Sequence, residues 1–163
     1  MDVVVSGFAK LLAPFMRLSG ALAPNAGHAI PTTVDYESEK AGASFYLNRL
    51  FRYPGAKPYR FRSRMVAWRG NEVIEFMPPG IGWHARYSFD GRKVLLEHIG
   101  YKFRFLGITI PMPMEYLLGK GYAEEEALGE DTFRMYMDIR HPLFGLVYSY
   151  SGHFKITRVQ LDA

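Results

Sequence analysis

From Ile30 onward, apolar residues recur at every second position, and no intervening stretch carries the three-to-four-residue spacing of a helix. A period of two puts successive side chains on opposite faces of a strand, so each run buries one face and wets the other. With no helix to cross over between strands, parallel βαβ units are disfavoured and consecutive runs pair as antiparallel neighbours. Roughly ten such runs are legible, and an antiparallel sheet of that size curls into a barrel or splits into layers. The expectation is a mostly β chain: an antiparallel β-barrel or strongly curved, calycin-like sheet. It forms a single domain over 1–163, β-rich over 30–161.

Turn residues set the expected register. In "AWRGNEVI" the Gly70-Asn71 pair reads as a two-residue turn, Gly at the first position suiting type II′. That register faces Ala67 with Ile74 and Met65 with Phe76. In "WHARYSFDGRKVLLEH" the Asp90-Gly91 pair reads as a type I′ turn, facing Tyr87 with Val94, Ala85 with Leu96 and Trp83 with His98. On the reverse side the same register joins His84 to Glu97. Further strands are read in "YKFRFLGITI", "GYAEEEAL", "TFRMYMDIR" and the final run from Leu143. The acidic run Glu124 to Glu126 reads as a solvated edge strand.

Ahead of the sheet, Val4, Phe8, Leu11, Leu12, Phe15 and Leu18 fall at helical spacing and predict one amphipathic helix over 3–18, bent or shortened at Pro14. The segment opens on Asp2 and is interrupted by Lys10 and Arg17, so it reads as structural rather than as a secretory signal. No apolar run approaches the roughly 20 residues that a membrane-spanning helix needs. The chain has no cysteine, which excludes disulfides, thiolate catalysis and cysteine-ligated metals and suits a cytoplasmic location.

The net charge of +4 is unevenly spread: eight basic residues and no acid lie between Lys40 and Asn71, five acids and no base between Glu124 and Asp131. Within the basic stretch Arg60, Arg62 and Arg64 share one parity, with Tyr59, Phe61 and Met65 on the other. These arginines form a candidate anion patch on the outside of the sheet, partly neutralised by Glu75. Bases need aromatics to stack upon beside the charges, and here the aromatics take the other face, so specific nucleic-acid binding is not expected. The five histidines show no metal-ligand spacing, and no metal or cofactor is predicted. His84 with Glu97 is the candidate polar pair, of a kind that does acid/base work or merely pairs across a surface hairpin.

The order "FAKLLAPFMRLSG", "GW..RYSF.G", "LLEHIG.KFRF", "IPMP", "AEEE....TFRMYMDI" and "HPLFGLVYSYSGHF" resembles the family called domain of unknown function 4166. This chain has Ser19 where that family tends to place a histidine, and Ala85 where it favours an arginine. The family is usually found C-terminal to an NAD-binding domain of the saccharopine-dehydrogenase-like kind, so the resemblance implies an accessory or interaction domain for an oxidoreductase. The chain has no G-x-G-x-x-G fingerprint, which would put any NAD site on another polypeptide.

The reading that follows from curved-sheet geometry and abundant inward aromatics and methionines is a non-catalytic module for a small hydrophobic or amphipathic, lipid-like molecule. Its pocket candidates are Trp83, Tyr87, His98, Met135, Met137, Tyr148 and Tyr150, with Met65 and Phe76 also expected inside. Alternatives are the oxidoreductase accessory domain and an enzyme using His84 with Glu97, or His98. Oligomeric state is left open by the sequence.

Overall fold

In the computed structural model residues 1–19, 22–38 and 44–159 are described, those of 15–19 as backbone only. The elements are β1 (Asp2–Val5), α1 (Gly7–Ser19), β2 (Thr32–Ser38), β3 (Ser44–Phe51), β4 (Tyr59–Ala67), β5 (Glu72–Met77), β6 (Ile81–Phe89) and β7 (Lys93–Phe105). They continue with β8 (Ile108–Met112), α2 (Glu115–Leu118), β9 (Lys120–Ala127), β10 (Thr132–His141) and β11 (Gly145–Lys155). The strands form one antiparallel sheet in the order β1-β11-β10-β9-β7-β6-β5-β4-β3-β2, with β8 paired to β7 off that path.

This meander is a half-barrel. Its curl brings β2–β4 opposite β9–β11, so that Tyr36 of β2 reaches Glu125 of β9. At one corner the backbone ahead of β2 pairs with β1: Val3 and Gly27 exchange N–H···O bonds of 2.8 and 2.9 Å, and the Ile30 N–H donates to Met1 O at 2.7 Å. The concave side holds a core that runs from Val3, Ile30 and Phe51 across Phe61 to Met137, Val147 and Tyr148. A second cluster joins Leu47 and Met65 to Trp83, Leu96 and Tyr101. Burying one such side chain contributes about 1.5–3 kcal/mol.

Because neighbours run antiparallel, alternate connections emerge at the same end. The helix end carries α1, α2, the turn after Met77, the β7–β8 turn and the β10–β11 turn. The opposite end carries the β4–β5, β6–β7 and β9–β10 turns.

Three expectations are corrected here. The helix expected over 3–18 starts at Gly7, because the β-branched Val3, Val4 and Val5 pair with Tyr150, Ser149 and Tyr148 as strand β1. The acidic run does not sit on an edge: β9 lies between β7 and β10, with Glu124 paired to Lys93, and Glu126 to Arg92 and Arg134. Strand "YKFRFLGITI" is two strands, turning at Leu106 and Gly107, both at positive φ (49° and 83°).

Candidate functional site

Two hairpin registers decide what faces the interior. At the β4–β5 turn the Trp68 N–H donates to Glu72 O, and the Glu72 N–H donates to Arg69 O. Two residues, Trp68 and Arg69, thus oppose Glu72 alone, which is a bulge. The bulge moves the register by one: Met65 faces Glu75, not Phe76, and Val66 faces Ile74. A slip of one residue exchanges the faces of a strand. Glu75 therefore enters the core, while Phe76, expected inside, lies on the outer face under the Arg104 guanidinium.

At the β6–β7 turn the Asp90 carboxylate accepts the N–H groups of Arg92 and Lys93 at 2.9 and 2.7 Å. Phe89 faces Val94 across a four-residue loop rather than a two-residue turn. That displacement is by two residues, so faces are kept: Tyr87 opposes Leu96 and Ala85 opposes His98. A further irregularity between His84 and Ala85 sets His84 opposite Gly100 and Trp83 opposite Tyr101. His84 and Glu97 are consequently not a pair. His84 meets Glu72 at 3.0 Å on the outer face, and exposed Glu97 lies opposite Arg86 and Tyr122.

Among the described residues, two small chambers lie in the interior. The first, about 60 Å³, is lined by Phe61, Met77, Trp83, Met137, Tyr148 and Tyr150, with Ala9, Leu12, Met114 and Leu118 closing it at the helix end. The second, about 80 Å³, is bounded by Tyr36, Leu47, Met65, Tyr87, Met135 and Glu125 among others. Glu75, Trp83 and Tyr150 border both. Of the expected pocket residues, Trp83, Tyr87, Met135, Met137, Tyr148 and Tyr150 line a chamber. His98 stands behind: its Nδ1 accepts the Trp83 indole N–H at 3.0 Å. That leaves Nε2 to donate toward Glu115, 3.5 Å away. Burial lowers the His98 pKa below its ordinary value, against the opposing pull of Glu115.

At the wall of β3–β5 lies a buried charged group, one member of which, Glu75, the sequence reading placed on the outer face. Arg49 and Glu75, 3% and 7% exposed, are linked at 3.0 Å. The Ser63 hydroxyl donates to the same Glu75 oxygen at 2.5 Å and accepts from Arg49 at 3.0 Å. The guanidinium stacks on Phe61 at 4.7 Å, and its Nε has no hydrogen-bond partner. Tyr150 comes from the facing wall, its phenol pushed upward by burial against the pull of Arg49. Burial also raises the Glu125 carboxyl, opposed by Arg49 and the Tyr36 hydroxyl, and pushes the Tyr87 phenol up to about 12. Strand parity carried a signal for two members: Arg49 shares the parity of the buried Leu47 and Phe51, and Ser63 that of Phe61 and Met65. Glu75 had none, because only the bulge turns it inward.

The arginine row points outward as expected, but its partners differ. Arg62 and Arg64 lie over the Tyr46 ring at 4.5 and 5.7 Å, and Arg62 approaches Glu37 at 3.8 Å. Glu75 takes no part, for the reason just given. Arg60 is exposed. Among the described residues no three His, Asp or Glu side chains gather as a metal site, and no helix is long and apolar enough to cross a membrane.

In comparison with known proteins, residues 1–154 of the 163 match a family model described as domain of unknown function (DUF4166). No curated protein and no solved structure matches.

Proposed function

We propose, from the premise that the chain belongs to the DUF4166 family, that it is a non-catalytic binding module for a compact amphipathic molecule. Its apolar body occupies the chamber under α1, and its head reaches the group formed by Arg49, Ser63, Glu75 and Tyr150. The observation that carries this reading is the meeting of two chambers at that group: an otherwise apolar interior with a few convergent polar atoms is the usual form of a small-molecule site. The orphan Arg49 Nε is a buried donor with nothing to satisfy it, which costs free energy unless a ligand or water accepts from it. Glu75 already offsets the Arg49 charge, so the head is an uncharged acceptor such as a hydroxyl or ester rather than a carboxylate.

Each chamber is smaller than the roughly 150 Å³ apolar cavity that holds benzene. A rigidly bound ligand is therefore short, and a longer chain requires α1 to lift. Native mass spectrometry of protein from its host should reveal a co-purifying neutral molecule, and 1-propanol should bind more tightly than propanoate by titration calorimetry. Met137→Trp, which fills the first chamber, should weaken propanol by about tenfold or more. No co-purifying species and no propanol binding would overturn the reading, as would equal binding by Met137→Trp.

A further inference from the structure

The two ends of the half-barrel differ in what they expose. At the helix end, large apolar side chains stand in solvent from three separate connections: Leu11 of α1 is 77% exposed, Leu106 of the β7–β8 turn 85%, and Leu143 of the β10–β11 turn 82%. Phe105, Ile108 and Tyr116 add to them. The opposite end exposes Phe89, Leu128 and Trp68 at 67%, 49% and 39%, so the helix end stands apart by the fuller exposure of its leucines, and apolar side chains gathered in this way mark an interaction surface.

The β7–β8 hairpin makes the case most sharply. Its β7 part loses the β6 partner after Phe103, which faces Ile81, so Phe105, Leu106 and Ile108 project past the rim. Leu106 sits at φ +49°, a left-handed conformation that glycine or asparagine would adopt with less strain. Nothing lies within 4 Å of a Cβ built on Gly107, so the space beside that glycine is open. A strained, fully exposed leucine serves no packing purpose within this fold.

Charge accompanies the apolar tips. Lys10, Arg52, Lys57, Arg60, Arg104 and Lys120 are exposed at or beside the same end, where Glu115 is the acid among the connections. The opposite end carries Asp90, Glu130 and Asp131 in its turns together with Arg69 and Arg92, so its charges nearly balance. The molecule thus differs along its axis, with a basic, apolar-tipped end and an end of mixed charge. A protein partner with a large apolar surface would match the tips without needing the cations. An anionic bilayer matches both, because cations lie at the headgroups while leucine and phenylalanine tips enter the acyl boundary.

We infer that the helix end is a peripheral docking surface for anionic lipid bilayers, with Phe105, Leu106 and Ile108 as the inserting tip. The first chamber lies beneath this same end, closed by Ala9, Leu12 and Leu118, so docking places it next to the acyl region. The inference stands without the interior ligand, since it rests on exposed side chains alone.

The test is vesicle co-sedimentation of the full chain with phosphatidylcholine vesicles, with and without phosphatidylserine. Binding is expected for the phosphatidylserine vesicles, weakening as salt rises. Leu106→Asp with Ile108→Ser should weaken it about tenfold or more, while Phe89→Ser, an equally exposed site at the opposite end (67%), leaves it unchanged. Lys57→Glu with Lys120→Glu should reduce binding to anionic vesicles without altering the fold. Met137→Trp should bind vesicles as the native chain does, which separates this outcome from that of the interior reading. Absence of binding to anionic vesicles overturns the inference, as does an equal loss in Phe89→Ser. A concentration-dependent dimer that Leu106→Asp with Ile108→Ser makes monomeric overturns it too, by showing that the end serves a second copy of the chain.

Discussion

Arg49 and Arg62 stand on neighbouring strands, β3 and β4, each with a glutamate partner, but on opposite faces of the sheet. The inner pair, Arg49 with Glu75, has side chains 4% and 10% exposed; the outer pair, Arg62 with Glu37, has 55% and 60%. Inside, both charges have lost their water, Ser63 takes up part of the hydrogen-bonding capacity, and Phe61 lies under the guanidinium. Outside, solvent screens a 3.8 Å contact, and the Tyr46 ring gives Arg62 a surface to rest upon. The same two residue types therefore do different work. The inner pair is held by mutual need, because removal of either member strands a charge where water cannot reach it. The outer pair is one of many equivalent arrangements.

The largest effect should come from breaking the inner pair singly. Glu75→Leu is expected to cost about 3–5 kcal/mol by urea denaturation, since Arg49 is left buried and unpaired. Arg49→Met combined with Glu75→Leu should recover most of that loss, because an apolar pair of similar size removes the desolvation penalty. A Glu75→Leu chain as stable as the native one would show that the inner pair holds nothing.

An intermediate case sharpens the contrast. His98 and Glu115 are 5% and 37% exposed, one partner inside and one out. Burial holds the folded-state pKa of His98 below the ordinary 6.5. The folded chain then keeps the imidazole neutral while the unfolded chain takes up a proton as pH falls below 6.5, so stability drops across that window and is full above it. Thermal melts of the native chain between neutral and mildly acidic pH should show this fall, and His98→Gln should show a shallower one. His84, shifted the same way and for the same leading cause, is present in both chains and cancels in the comparison. Identical slopes would place His98 outside the account.

The smallest effect belongs to the outer pair. Arg62→Gln should change stability by about 0–1 kcal/mol, and less still at high salt. A loss comparable to that of Glu75→Leu would erase the distinction between the faces.

Much of this was legible in the chain itself. The period-two pattern after Ile30 fixed strands, antiparallel pairing and curl, because alternation is a property of each strand alone and needs no partner. The inward parity of Met135, Met137, Tyr148 and Tyr150 and the outward parity of Arg60, Arg62 and Arg64 followed from the same local rule. What failed was register. Gly70-Asn71 and Asp90-Gly91 marked both turns, but not the bulge at Trp68–Arg69 nor the capping by the Asp90 carboxylate that lengthens the second loop. The first error reversed the faces of β5; the second, being even, preserved the faces but separated His84 from Glu97.

The sequence by itself determined which side chains alternate, because backbone geometry imposes that on any extended run. Tertiary structure decided which of two alternating sets faces the core, since that depends on how one strand is phased against the next across a turn. It also decided that β9 is central rather than an edge, and that Tyr150 and Glu125 meet Arg49 across the curl. Those partners lie more than seventy residues apart along the chain, and no local pattern encodes a contact that only closure of the sheet creates.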